Sequence, residues 1–183
     1  MKTNKKLQIA IIGSAGKDDY LGNNGGSDSL MEKLAEEIGF LLAQKNIIVI
    51  TGGKSGIMNF ASLGAKKGGG TTVGVIKGKN RFTSNEYTDV EVISGMEADG
   101  LDEVLLSFMS DGCIVIGGGA GTLQEVALFY RNNKPIVVLG GSGAWADKLS
   151  EIDFLDERKR IKIITALNAE DSVDKIIESI NLC

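Results

Sequence analysis

The sequence contains no histidine, and this absence removes a large group of active sites from consideration. Catalysis by Ser-His-Asp or Cys-His arrangements, zinc or haem bound by histidine, and pH switching by an imidazole all require the missing side chain. Any chemistry in this protein must therefore rest on carboxylates, lysines and backbone amides.

Cysteine is scarce as well: Cys113 stands inside an apolar run and Cys183 ends the chain. Neither belongs to a CxxC pair, which argues against a zinc or iron–sulfur site. A disulfide between the two is one alternative, but a buried thiol at Cys113 is the simpler expectation. We predict no metal site, because the paired acids Asp18 and Asp19 are typical of a solvated loop.

Long apolar runs and excess positive charge are also missing. No run reaches the roughly 18 apolar residues of a membrane helix, and the first residues lack the apolar core of a signal peptide. The net charge of −4 argues against a nucleic-acid binder. We therefore expect a cytoplasmic protein with a small-molecule partner, and neither a membrane nor a nucleic acid.

Only one proline accompanies 25 glycines, whereas 43% of the residues are hydrophobic. Disordered or collagen-like glycine-rich chains lack this apolar content or show a G-X-Y period. The 183 residues suit one domain, so we predict a single nucleotide-binding domain over 1–183.

Short apolar runs rich in Ile and Val alternate with helical patterns along the whole chain. Continuous apolar runs are typical of parallel strands covered on both faces. The pattern predicts an α/β protein: a Rossmann-like, three-layer α/β/α domain with a doubly wound, mainly parallel sheet of about seven strands. The predicted strands are 7–12, 47–50, 72–76, 89–93, 113–116, 135–139 and 161–165. The predicted helices are 29–45, 57–67, 101–110, 122–132, 144–150 and 169–180.

About half of the glycines follow a predicted strand directly and lead into a helix. At this edge of an open α/β sheet, ligands bind, and glycine lets backbone N–H groups approach an anion. The alternative is that tight strand-to-helix turns simply need glycine. We favour a phosphate-binding site, and its candidate ligand-binding residues are Gly13, Ser14, Gly52, Gly53, Lys54, Gly56, Gly118, Gly119, Gly121, Thr122 and Glu125.

Two familiar nucleotide motifs are absent. Residues 53–55 resemble the end of a P-loop, but Ile48 stands where that motif needs its first glycine. The turn at Gly13 also lacks the G-x-G-x-x-G spacing. Trp145, the only tryptophan, could stack on a base, although packing in the core is the simpler expectation.

The segment 117–125 (GGGAGTLQE) carries the strongest functional signal. A helix that begins at Thr122 would place Glu125 three residues later, which is the spacing of a capping box. Alternatively, Glu125 is a functional carboxylate beside the glycine turn, able to bind hydroxyls, orient water or act as a general acid or base. Local chemistry alone leaves both roles open.

This segment resembles the PGGxGTxxE motif of the "lysine decarboxylase-like" LOG proteins, with Gly117 in place of the proline. Residues 51–58 (TGGKSGIM) are similar to the second glycine motif of that family, GGGxxGLM. Residues 140–147 (GGSGAWAD) and 161–180 look closer to the molybdenum-cofactor-carrier-like branch. The resemblance implies a Rossmann-like fold, a nucleotide monophosphate or molybdopterin-type ligand, and a homodimer or homotetramer.

LOG proteins are nucleotide 5′-monophosphate phosphoribohydrolases, and the resemblance would make Glu125 catalytic. They carry an arginine nine residues before an aspartate that corresponds to Asp111, and Asp102 takes that place here. Three functions stay open: a binding or carrier protein for a phosphate-bearing nucleotide or pterin, a LOG-type N-glycosidase, and an oligomeric sensor. The lost arginine favours binding over hydrolysis.

Overall fold

Seven parallel strands form the centre of the molecule, in the order β4-β3-β2-β1-β5-β6-β7. The computed structural model describes residues 5–15, 27–97 and 100–182. The strands are β1 (Gln8–Gly13), β2 (Ile48–Thr51), β3 (Thr72–Ile76), β4 (Val90–Ile93), β5 (Gly112–Ile116), β6 (Ile136–Leu139) and β7 (Ile163–Ala166). Every neighbouring pair is parallel, which confirms the predicted sheet.

Among the described residues, six helices cover the two faces of this sheet, and each face has its own apolar cluster. The helices are α1 (Ser27–Gln44), α2 (Ile57–Lys67), α3 (Leu101–Met109), α4 (Ala120–Arg131), α5 (Ala144–Ser150) and α6 (Ala169–Leu182). Helices α1, α2 and α6 pack on one face, while α3, α4 and α5 pack on the other. The central strands are buried on both faces, which explains why their sequences do not alternate.

The order of the strands reverses between β1 and β5. From β1 the chain builds outwards to β4, then returns to place β5 on the other side of β1. These two strands pair as far as Gly13 and Ile116, at their carboxyl ends. Loops leave this point in opposite directions and open a crevice, where open α/β sheets bind ligands.

Some glycines outside the turns let two helices touch. A Cβ on Gly39 of α1 would collide with the carbonyl oxygen of Ala61, and one on Gly64 of α2 with that of Glu36. The backbones of α1 and α2 are therefore in direct contact. Gly68 has a different role and is the C-cap of α2.

The boundary error that affects predicted site residues concerns α4. This helix begins at Ala120 after an extended Gly119, two residues before the predicted start.

Cys113 is a free, fully buried thiol, as predicted. Cys183, Asp18, Asp19 and most of the long loop 14–28 lie outside the described residues. Within the ranges that are described, every helix is too short or too polar to cross a membrane.

Candidate functional site

A pocket of about 170 Å³ opens at the carboxyl edge of the sheet, beside the point where the strand order reverses. We call it the acid pocket. It is bordered by glycine-rich turns after β1 and β2 and by the first turns of α3 and α4. Its lining residues are Ile12, Gly13, Ser14, Ala15, Gly52, Lys54, Met58, Val75, Asp102, Glu103, Leu106, Gly119, Gly121, Thr122 and Glu125.

Ser14 ties together three of the elements that form this pocket. Its hydroxyl oxygen accepts a hydrogen bond from the N–H of Gly118 at 3.0 Å. Its carbonyl oxygen accepts one from the N–H of Ile57, the first residue of α2, also at 3.0 Å. Ser14 therefore holds the β1 turn, the β5 turn and the start of α2 in fixed positions.

The turn after β5 is held from its other side by the turn after β6. The N–H of Gly117 donates to the hydroxyl of Ser142 at 2.9 Å, and that hydroxyl donates to the carbonyl of Leu139 at 2.6 Å. The carbonyls of Gly117 and Gly118 accept from the first turn of α5. The N–H groups of both glycines are thus engaged inside the protein.

The structure brings most of the predicted site residues to one place. The acid pocket is lined by Gly13, Ser14, Gly52, Lys54, Gly119, Gly121, Thr122 and Glu125. Gly118 lies nearby but borders a second pocket instead. Gly53 and Gly56 line neither pocket: both have positive φ and shape the turn between β2 and α2.

The capping box, one of the two roles left open for Thr122 and Glu125, does not form. Gly119 is the N-cap of α4, and no side chain caps this helix. Thr122 is therefore its third residue, and Glu125 faces the pocket from the second turn instead of closing the helix end. Glu125 therefore makes no capping hydrogen bond, and helix capping does not account for a glutamate at this position.

Three carboxyl groups meet in the acid pocket. Glu125 comes from α4, whereas Asp102 and Glu103 come from the first turn of α3. The lysine at the pocket is Lys54, which is exposed in the turn after β2. The structure thus places Asp102, at the position of the LOG arginine, in the same pocket as Glu125.

Two of these carboxyls, those of Glu125 and Glu103, are hard to ionise because of burial and neighbouring negative charge. The pKa of Glu125 is raised to about 8, first by desolvation and then by the charges of Glu103 and Asp102, against a smaller opposing effect of Lys54. The pKa of Glu103 is also raised, chiefly by burial. Glu125 is partly buried in the pocket wall, and near neutral pH its carboxyl can carry a proton.

A second, larger pocket of about 520 Å³ lies on the other side of Ser14 and Gly119. We call it the tryptophan pocket. Trp145 is only half-buried and borders it, which corrects the expectation that this side chain packs in the core. The Lys148 ammonium lies 4.5 Å from the centre of the indole ring. Apolar side chains of α1 complete the wall: Leu30, Met31 and Leu34.

The sequence did not single out Glu103 and Met58 as lining residues. Glu103 stands in the first turn of α3, and its carboxylate accepts the N–H of Gly100 at 2.8 Å. A search of every helix start at the carboxyl edge would have found it. In the described part of the chain, no group of three or more Asp, Glu or Cys residues is arranged to hold a metal ion.

Three known proteins show what the chain is similar to. An uncharacterized protein from Archaeoglobus fulgidus is 30% identical over 115 residues, which cover 63% of this chain and 68% of that protein. The molybdenum cofactor carrier protein of Chlamydomonas reinhardtii is 28% identical, with a TM-score of 0.78 over 97% of this chain and 99% of its own. The molybdenum cofactor binding protein of Rippkaea orientalis is 26% identical, with a TM-score of 0.77 over 96% and 98%.

These likenesses agree with the resemblance found in the motifs and with the seven-stranded fold. The model of the SLOG cluster4 family matches residues 6–173, which is nearly the whole chain. The chain therefore belongs to the SLOG cluster4 family.

Proposed function

We propose that this protein binds and carries a phosphate-bearing small molecule, a nucleotide or a pterin of the molybdenum-cofactor type, at the carboxyl edge of its sheet. One observation carries the proposal: a rigid pocket lies at the reversal of the strand order and is bordered by two glycine turns. The names of the Chlamydomonas and Rippkaea proteins support the choice of ligand class.

The phosphate fits best between the two pockets, at the start of α4. The first N–H groups of a helix have no partner inside the helix, and its dipole is positive at this end. Gly119 and Gly121 border the acid pocket here, and a Cβ on Gly121 would meet no atom within 4 Å. Lys54 can reach the same rim from the turn after β2. We assign the phosphate to these groups and not to Gly118, whose N–H is already bonded.

Hydrolysis of a nucleotide is the second candidate, and one observation favours it. A carboxyl with a pKa of about 8 in a pocket is suited to act as a general acid, so Glu125 could protonate a leaving base. The charge that develops on the sugar is positive, so an arginine would not stabilise it. Yet Asp102 stands in this pocket at the position of the LOG arginine, which is why we favour binding over hydrolysis.

A turnover experiment separates the two functions. Purified protein is incubated with AMP or GMP, and bound nucleotide and free base are both quantified over hours. We expect up to one nucleotide bound per chain and no free base beyond the uncatalysed level. Multiple turnover that disappears in Glu125→Gln but persists in the exposed-carboxylate control Glu157→Gln would establish the hydrolase and refute the carrier. The homodimer or homotetramer stays a prediction.

A further inference from the structure

The acid pocket is rich in hydrogen-bond acceptors that have no donor. Asp102 Oδ1 is buried, and no described residue donates a hydrogen bond to it. The Glu125 carboxyl lines the same pocket and receives no hydrogen bond from the described part of the chain. Buried polar atoms are almost always paired, so the unpaired Asp102 Oδ1 beside a second carboxyl indicates a missing donor.

The rest of the lining indicates the shape of that donor. Apolar side chains flank the carboxyls, among them Ile12, Val75 and Leu106, which lie at the strand ends and on α3. Such walls suit the faces of a flat ring, whereas the carboxyls suit its polar edge. A carboxylate accepts two parallel N–H bonds from one planar group, and such paired bonds are stronger and more selective than single ones.

We propose that the acid pocket binds the amino-lactam edge of a fused bicyclic ring, the 2-amino-4-oxopyrimidine edge that guanine and pterin share, through the carboxyls of Glu125 and Asp102. This edge presents a ring N–H and an exocyclic NH₂ side by side. Adenine offers only one donor on the corresponding edge. The inference rests on the proposed function: the ring enters the acid pocket while the phosphate stays at the start of α4.

The raised pKa of Glu125 is consistent with this assignment. In the empty pocket, burial and the charges of Glu103 and Asp102 favour the protonated carboxyl. Two N–H donors would stabilise the ionised form, so binding should release a proton to the solvent. Calorimetry in buffers of different ionisation enthalpy measures that proton, which a merely structural carboxyl would not release.

Four ligands separate the ring edge from the phosphate: guanosine, inosine, GMP and IMP. Inosine and IMP lack only the exocyclic amine, whereas the nucleosides lack only the phosphate. In both pairs we expect the guanine ligand to bind roughly 10-fold more tightly than the hypoxanthine ligand. This is the discrimination expected from one good paired contact. Pterin should bind at least roughly 10-fold more tightly than lumazine, which carries an oxo group in place of the amine. Glu125→Gln and Asp102→Asn should reduce each ratio to near one, and the control Glu157→Gln should leave it unchanged.

The outcomes are distinguishable. If IMP binds as tightly as GMP, and lumazine as tightly as pterin, the inference on the ring edge is overturned while phosphate binding stands. If none of the ligands binds at millimolar concentration, the proposed function fails together with the inference. If putrescine protects the protein against thermal unfolding as well as pterin does, the pocket is a cation site. The inference that it binds the ring edge is then refuted as well.

Discussion

Replacing Glu125 with glutamine is expected to stabilise the protein at alkaline pH and to flatten the dependence of its stability on pH. The pKa of this carboxyl is about 8 in the folded protein, against an ordinary value of 4.5. Between these values the folded state binds a proton that the unfolded state has lost, so the free energy of unfolding falls as the pH rises. Below 4.5 this contribution is fully present, and it is lost as the pH passes through 8.

The groups that face Glu125 determine the size of this effect. Asp102 and Glu103 on α3 raise its pKa, Lys54 opposes them, and Cys113 on β5 is a buried thiol nearby. A full shift would correspond to about 5 kcal/mol, and solvent in the pocket reduces this, so we expect about 2–4 kcal/mol. Glutamine has the same size and no charge to bury.

Denaturant unfolding at several values between pH 5 and pH 9 measures the effect. The wild-type protein should lose stability across this range relative to Glu125→Gln, with the two converging near pH 5. Glu157→Gln alters an exposed carboxyl and should follow the wild-type curve. Parallel curves for the wild type and Glu125→Gln would show that the Glu125 carboxyl is not buried as described.

Substituting alanine for Gly64 is expected to lower the free energy of unfolding by about 3 kcal/mol. The added methyl would collide with the carbonyl oxygen of Glu36, which belongs to the backbone of α1 and cannot rotate away. The two helices would have to separate, and overpacking of this kind costs about 1–3 kcal/mol, occasionally more. Gly39→Ala should act similarly, because its Cβ would meet the backbone of α2.

The matched control is Gly121→Ala, which makes the same change near the start of α4. A Cβ there meets no atom within 4 Å, and alanine is favoured over glycine in helices by up to about 1 kcal/mol. Urea unfolding should therefore show opposite signs for the two variants. If Gly64→Ala were as stable as Gly121→Ala, the close contact of α1 and α2 would be refuted.

Much of the fold could be predicted because parallel strands leave a strong local signal. Continuous apolar runs marked β1, β2, β5 and β6, and the weaker, alternating run at 89–93 is the edge strand β4. Errors arose where local patterns compete. Thr122 and Glu125 have the spacing of a capping box, yet an extended Gly119 starts α4 earlier. Spacing cannot show which turn of a helix a residue occupies.

The site was less predictable, since its character depends on side chains from distant elements. The glycine turns predicted a site at the edge of the sheet where the acid pocket opens, but they suggested a pocket shaped mainly for an anion. Glu103 and Asp102 meet Glu125 only when α3 packs beside α4. The increase that they cause in the pKa of Glu125 therefore depends on the tertiary structure. Likewise, the hydrogen bond from Gly118 to Ser14 joins residues 104 positions apart.

The most direct test follows the Glu125 carboxyl carbon by ¹³C NMR, with and without guanosine. Guanosine is a neutral ligand, so its own charge does not move the titration. Our account predicts a midpoint near pH 8 in the free protein and a lower midpoint when guanosine is bound. A midpoint near 4.5, with a resonance that guanosine leaves unchanged, would contradict the claim that this pocket is the ligand site.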